Sequence, residues 1–132
     1  MSNLLSIEEQ RQHLLKIKGK KVTFHYPELA DPKIGEIKDR WVVCENENED
    51  PTYWNMIDRI TFNDEKEEWF RIGYYRYVRD NHRFKRKNQH WVNAGQTAFA
   101  DPISSYVKLF VETAKQKEWF RNFIKEVASQ CL

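Results

Sequence analysis

The segment from Arg71 to Trp91 combines the residue types that hold nucleic acid. It carries seven basic residues and one acid, Asp80. Lysine and arginine neutralise phosphates, and unpaired bases stack on aromatic faces. This composition predicts a strand and loop that bind nucleic acid. The residues expected to contact phosphate are Arg76, Arg79, Arg83, Lys85, Arg86 and Lys87, and those expected to stack on bases are Tyr75, Tyr77 and Phe84.

A second interpretation of this charge comes from the preceding segment. Between Glu45 and Glu68 there are nine acids and two bases. If the two segments form neighbouring strands, their opposite charges pair across the sheet and the basic loop is a solvated hairpin tip. The net charge of only +2 favours this pairing, since basic nucleic-acid-binding domains usually have a pI above about 9. A third interpretation is electrostatic docking of an acidic protein.

The other reactive residue types do not form a catalytic set. His82 and His90 flank the basic loop, where two imidazoles across a phosphate would make a small nuclease, although exposed loop histidines are the favoured interpretation. No C-x-x-C or H-x-x-x-H pair supplies a zinc site. Glu36 and Lys38 match half of a metal-dependent nuclease signature, a pattern that any strand of alternating charge produces. We therefore predict a protein without catalysis, cofactor or bound metal.

The C-terminal segment carries a dense apolar patch around Trp119. The favoured interpretation is a terminal helix that closes the core against a sheet. The alternative is a helix that docks on a protein partner or on a second copy, through anchors at i, i+3 and i+4 spacing. In that case the residues expected to bind the partner are Trp119, Phe120 and Phe123.

The hydrophobic pattern assigns these residues to helices and strands. Ser6 and Glu9 form a capping box before a helix predicted over residues 7–18. Asp101–Pro102 is a typical helix start, after which the helical spacing indicates one long helix or two helices that join near residues 115–118. The apolar residues at this spacing include Ile103, Val107, Phe110, Val111 and Ala114. Alternating apolar residues predict strands over residues 22–26, 34–44, 53–62, 69–78 and 91–100.

The order of these elements indicates the fold class. Strands in series with short loops favour an antiparallel sheet. We predict an α+β fold with about five antiparallel strands, an N-terminal helix and one or two C-terminal helices. Gly19–Phe24 and Gly35–Lys38 resemble the first two strands of SH3-like barrels, which implies that the sheet curls into a small barrel. A flat sheet with the helices packed on one face is the alternative.

Length and composition predict one domain over residues 1–132. This length fits the roughly 100–200 residues of a typical domain, and 40% of the residues are hydrophobic. Cys44 and Cys131 are too few and too far apart for a disulfide framework. No apolar run approaches the roughly 18 residues of a membrane span, and the N-terminus lacks a signal-peptide pattern. The expected location is therefore the cytoplasm, with no membrane partner.

The nucleic-acid hypothesis predicts binding that depends on salt. In fluorescence anisotropy with labelled single-stranded and duplex oligonucleotides, raising salt from about 50 to 200 mM should weaken binding roughly a thousandfold if six or more phosphates are contacted. Replacing Arg83, Lys85 and Arg86 by Ala should weaken binding at both salt concentrations. Absence of binding at the lower concentration would contradict the hypothesis.

Overall fold

The computed structural model of the chain shows three helices and an antiparallel sheet. It describes residues 5–16, 21–24, 31, 33–47, 49, 51–62, 66–77, 91–93 and 101–132. The elements are α1 (Ile7–Leu15), β1 (Lys21–Phe24), β2 (Lys33–Cys44), β3 (Thr52–Phe62), β4 (Glu68–Tyr77), β5 (Trp91–Asn93), α2 (Ile103–Gln116) and α3 (Glu118–Cys131). The predictions of an α+β fold, of an antiparallel sheet and of helices at both ends are confirmed, and the C-terminal helical region consists of two helices.

The sheet follows the chain, with strands in the order β1-β2-β3-β4-β5. Strands β1 to β4 form a curled half-barrel, and the short β5 pairs with the end of β4, at Tyr75–Tyr77. A β-bulge interrupts β2 at Lys38, between the pairs Ile37–Ile60 and Asp39–Arg59. Such an extra residue bends the strand and shifts its alternation by one position. Odd-numbered residues before the bulge therefore point to the same face of the sheet as even-numbered residues after it.

Helix α1 covers one face of the sheet. Ser6 and Glu9 form the predicted capping box, in which each side chain bonds the backbone amide of the other. The helix ends at Leu15, three residues earlier than predicted. Its buried side is fixed by Gln10, whose side-chain oxygen accepts a hydrogen bond of 2.8 Å from the Trp54 indole. The core on this face consists of Leu14, Val42, Cys44, Trp54 and Met56.

Helices α2 and α3 cover the opposite face. Successive side chains of a strand point to opposite sides, and the residue after Val42, Val43, packs with Ile57, Leu109 and Phe120. The sheet therefore lies between helices on both faces. The sequence alternative, in which all helices pack on one face, is wrong because β2 and β3 are apolar on both sides.

A buried ion pair joins α1 to the centre of the sheet. The Arg40 guanidinium donates from Nε and Nη2 to the Asp58 carboxylate at 2.5 and 2.9 Å, and both side chains are fully buried. Its Nη1 donates to the backbone carbonyl of Leu14, in the last turn of α1, at 3.1 Å. Burial alone would lower the pKa of Arg40, but the hydrogen bonds and charge of Asp58 outweigh it and leave this pKa raised.

The same carboxylate also binds a cation from β4. Arg71 donates from Nε and Nη2 to Oδ2 of Asp58, at 3.1 and 2.8 Å. A second contact between these strands, Arg59 with Glu68 at 3.5 Å, joins two residues of the acidic segment itself. Within the described residues, β3 of the acidic segment thus pairs with residues 71–77 of the basic segment. Some of their charge is paired inside the fold, in agreement with the second sequence interpretation.

Removing the carboxylate of this ion pair should strongly destabilise the protein. Asp58→Asn leaves the buried Arg40 cation without its counter-charge, so we expect a loss of about 3–5 kcal/mol in urea unfolding. The matched control is Glu36→Gln, which breaks the exposed Glu36–Lys38 pair and should cost less than about 1 kcal/mol. Similar small losses for both variants would contradict the assigned role of the buried pair.

Candidate interaction surface

The joint between α2 and α3 is fixed to the sheet at Asp39. Lys117, the residue between the two helices, has an extended backbone with φ −126° and ψ 117°. Its Nζ lies 3.0 Å from Oδ2 of Asp39, and the indole of Trp119 donates to the same oxygen at 2.9 Å. The backbone amide of Arg40 donates to the other carboxylate oxygen at 2.9 Å. One carboxylate next to the bulge therefore sets the angle at which α3 leaves α2.

The environment of Asp39 stabilises its ionised form. Partial burial by itself would raise the pKa of Asp39. The hydrogen bonds from Trp119, the Arg40 amide and Lys117, together with the positive charge of Lys117, outweigh this effect. The pKa of Asp39 is therefore lowered, and the joint is held by a charged carboxylate at neutral pH.

The aromatic side chains of α3 have unequal roles. Phe120 is 1% exposed and lies at the centre of a ring cluster. Its ring centroid is 5.4 to 6.0 Å from those of Phe70, Phe110, Trp119 and Phe123. Trp119 is partly buried, whereas Phe123 is 39% exposed. Of the three residues predicted to bind a partner, Phe120 belongs to the core and Phe123 presents the most exposed ring.

Helix α2 carries an exposed apolar stripe, whose exposure the helical spacing alone does not indicate. Ile103, Val107 and Val111 are 81%, 56% and 46% exposed. They follow one another at i, i+4 and i+8, so they lie on one side of the helix. The buried side of α2 is instead formed by Leu109 and Thr113. At about 100° per residue, the apolar residues of α2 span roughly 200° of its circumference, which is more than one sheet contact can cover.

A groove of about 570 Å³ separates α2 from α3. Its size lies within the roughly 300–1,000 Å³ of typical ligand pockets. The groove contains four apolar and two basic residues: Phe110, Val111, Ala114, Ile124, Lys115 and Arg121. Together with the α2 stripe and the exposed Phe123 and Val127 of α3, we call this the α2–α3 surface.

The two cations of the groove lie on different helices. Lys115 of α2 lies 3.3 Å from Glu112, and both side chains are largely exposed. Arg121 of α3 donates from Nη1 to the backbone carbonyl of Ala114 at 2.9 Å. Because a guanidinium has five N–H donors, this contact leaves further donors for a ligand. Arg121 therefore reaches across to the end of α2, and both cations lie near the joint of the two helices.

A second cleft, of about 440 Å³, is acidic. It lies near the N-terminal end of α2 and includes three carboxylate residues, Glu45, Glu49 and Asp101, beside Tyr53 and Tyr74. The amide of Asn55 donates to Glu45 at 2.8 Å. Tyr74 precedes the predicted nucleic-acid-binding residues of β4 by one position. The carboxylates near it disfavour the approach of phosphate to this end of the strand.

The structure divides the described part of the predicted nucleic-acid site between two faces. Tyr75 and Tyr77 point toward α1: the guanidinium of Arg40 lies 5.5 Å from the Tyr75 ring, and Tyr77 is 3% exposed and accepts a hydrogen bond from the Leu5 amide. Arg76 points to the opposite side because strand side chains alternate. The other residues of this prediction lie outside the described residues: Arg79, Arg83, Phe84, Lys85, Arg86 and Lys87.

The described residues also show the surroundings of the discarded catalytic candidates. Glu36 and Lys38 bond each other at 3.2 Å. Cys44 is buried, and burial raises the pKa of its thiol above the ordinary value. His82 and His90 lie outside the part of the chain that the structure describes. Within that part, no three His, Cys, Asp or Glu residues are grouped as metal ligands.

Comparison with known protein families, with curated proteins and with solved structures gives no match for this chain. Among the described helices, none has the length and apolar character needed to cross a membrane.

Neutralising Asp39 should remove a stabilising contribution that depends on pH. Because its pKa is lower in the folded than in the unfolded chain, ionised Asp39 stabilises the fold above about pH 4, and this contribution is lost as pH falls through the folded pKa. Asp39→Asn should therefore cost about 1–3 kcal/mol at pH 7. In urea unfolding, its difference from the original protein should shrink at acidic pH, and a constant difference would contradict the assignment.

Proposed function

We propose that this protein is a non-catalytic protein-interaction module that receives a partner on the α2–α3 surface. The observation that carries the proposal is the apolar stripe of Ile103, Val107 and Val111 beside an apolar groove. Single exposed apolar residues are ordinary on protein surfaces. A contiguous set next to a groove is characteristic of interaction sites.

The spacing of this surface supports a protein ligand. Anchors at i and i+4 along one helix match the ridges that two packed helices present to each other. Covering such a surface removes apolar area from water and contributes about 25 cal/mol per Å². Phe123 adds an exposed aromatic ring at the other helix, and rings of this kind are enriched in the energetically important part of interfaces.

A second candidate function is nucleic-acid binding by the basic segment 71–91. It is supported by the seven basic residues of that segment. The described residues support it less, because Arg71 is bonded to Asp58 and Tyr77 is buried. With this candidate we also propose that the five strands form an SH3-like barrel. The bulge at Lys38 and the pairing of β5 with β4 support this fold.

Acidic substitutions in the stripe should abolish partner capture without unfolding the protein. Val107→Asp with Val111→Asp places two charges on the proposed contact surface, and we expect the captured amount of specific partners to fall roughly tenfold or more. The measurement is affinity capture of lysate proteins by the full chain, quantified by mass spectrometry. Thermal melting of each variant checks that the fold is retained.

The matched control places two carboxylates on the polar side of α3. Asn122→Asp with Ser129→Asp changes two exposed positions and should leave capture unchanged. If both double variants captured the same proteins as the original chain, the α2–α3 surface would not be the binding site and the proposal would be rejected.

A further inference from the structure

We infer that the α2–α3 groove binds a small amphipathic carboxylate, whose charged head lies at the joint of the two helices and whose apolar body lies between Phe110 and Ile124. The groove combines three features that fit such a ligand: two cations at one end, positive charge with little internal pairing, and an apolar lining elsewhere. The inference goes beyond the proposed function, because it holds whether or not a protein docks on the α2 stripe.

Both cations of the groove lie at the end where the two helices join. Lys115 is in the last turn of α2, and Arg121 is in the first turn of α3. The Arg121 guanidinium crosses the joint, since its Nη1 donates at 2.9 Å to the carbonyl of Ala114, the residue before Lys115. An anionic head placed at the joint therefore lies beside positive charge from both helices.

The positive charge of this end is open to a ligand. In the part of the chain that the structure describes, the polar partner of the Arg121 side chain is the uncharged Ala114 carbonyl alone. The guanidinium therefore retains donors that can bind both oxygens of a carboxylate. Lys115 pairs with Glu112 at 3.3 Å, but both side chains are largely exposed, and such surface pairs are weak. A ligand carboxylate can replace this pair at little cost.

The groove is apolar away from the joint. Phe110 and Val111 lie about one turn before the end of α2, and Ile124 lies about one turn into α3. From Phe110 to Ala114 the helix rises about 6 Å, at about 1.5 Å per residue. With C–C bonds of about 1.5 Å, an extended chain of about five to seven carbons spans this distance. A carboxylate with a hydrocarbon body of that length matches both ends of the groove.

Titration of the full chain with octanoate tests this inference. Amide-correlated NMR spectra report on each backbone amide, and we expect the largest shifts at Val111, Ala114, Lys115 and Arg121. Octanol and octylamine carry the same hydrocarbon without a negative charge, so octanoate should bind roughly tenfold or more tightly than either. Shortening octanoate to hexanoate should weaken binding by up to about fourfold per methylene removed, because less apolar surface is covered.

Removing the two positive charges should remove the preference for octanoate. Lys115→Met with Arg121→Met keeps long apolar side chains at both positions, so octanoate should lose roughly tenfold or more in affinity while octanol binds as before. The matched control, Lys21→Met with Lys66→Met, changes two exposed lysines outside α2 and α3 and should bind octanoate as the original chain does. Thermal melting checks that both double variants are folded.

Three results would overturn the inference. The first is octanol binding as tightly as octanoate, or octanoate shifting amides outside the groove. The second is unchanged octanoate binding in the variant with Lys115→Met and Arg121→Met, since other cations would then be responsible. The third is a shift of the groove amides with rising protein concentration but not with octanoate, which would assign the groove to a second copy of this chain. None of these results depends on partner capture by the stripe, so the two proposals fail separately.

Discussion

Burying the Arg40 guanidinium beside the Asp58 carboxylate removes two charges from water, and this cost is offset only while both groups keep their hydrogen bonds. The pair meets this condition because Asp58 also binds Arg71, and Arg40 also binds the carbonyl of Leu14. Three strands therefore converge on one carboxylate, and the end of α1 is joined to it through Arg40. Moving one of these strands, or α1, would remove hydrogen bonds from this buried network. The network therefore favours one relative position of the strands and α1.

The neighbouring residue holds the other two helices. Asp39 follows the bulge at Lys38 and points to the face opposite Arg40, where Lys117 and Trp119 bind it. Two consecutive residues of β2 thus anchor helices on opposite faces of the sheet. The second of these anchors fixes where α3 begins, because Asp39 binds Lys117 at the joint and Trp119 in the first turn of α3. The candidate interaction surface is in this sense a consequence of the strand geometry around the bulge.

The exposed apolar side chains of α2 and α3 contribute little to the fold that displays them. The buried core on this face consists of Val43, Ile57, Leu109 and Phe120, with partly buried residues of α2 and α3 packed against it, whereas Ile103 and Val107 remain in water. A helix that served only to cover the sheet would not need apolar residues on a second side. The excess of apolar surface beside the α2–α3 groove is the feature that favours an interaction surface over a purely structural role.

Local sequence patterns determined most of the secondary structure. Helix α1 begins after the capping box of Ser6 and Glu9, as predicted. The alternation of apolar residues predicted the ends of strands β2, β3 and β4 to within two residues of their observed ends. These features depend on neighbouring residues alone, because hydrogen bonds at a helix start and the alternation of a strand are local. The charge reversal between residues 45–68 and 71–91 left open whether the two segments pair, and the structure answers this for residues 71–77, which pair with β3.

The tertiary structure alone decided which apolar residues are buried. The spacing of Phe120 and Phe123 placed both on the apolar side of α3, yet one is in the core and the other is exposed. Likewise, helical periodicity grouped Val107 and Val111 with Phe110 and Ala114, which pack against the core. Periodicity states which residues share a side of a helix, but burial depends on how wide a contact the distant strands provide. On the side of α2 and α3, the helices are held by Asp39, which contacts Lys117 and Trp119 far along the chain.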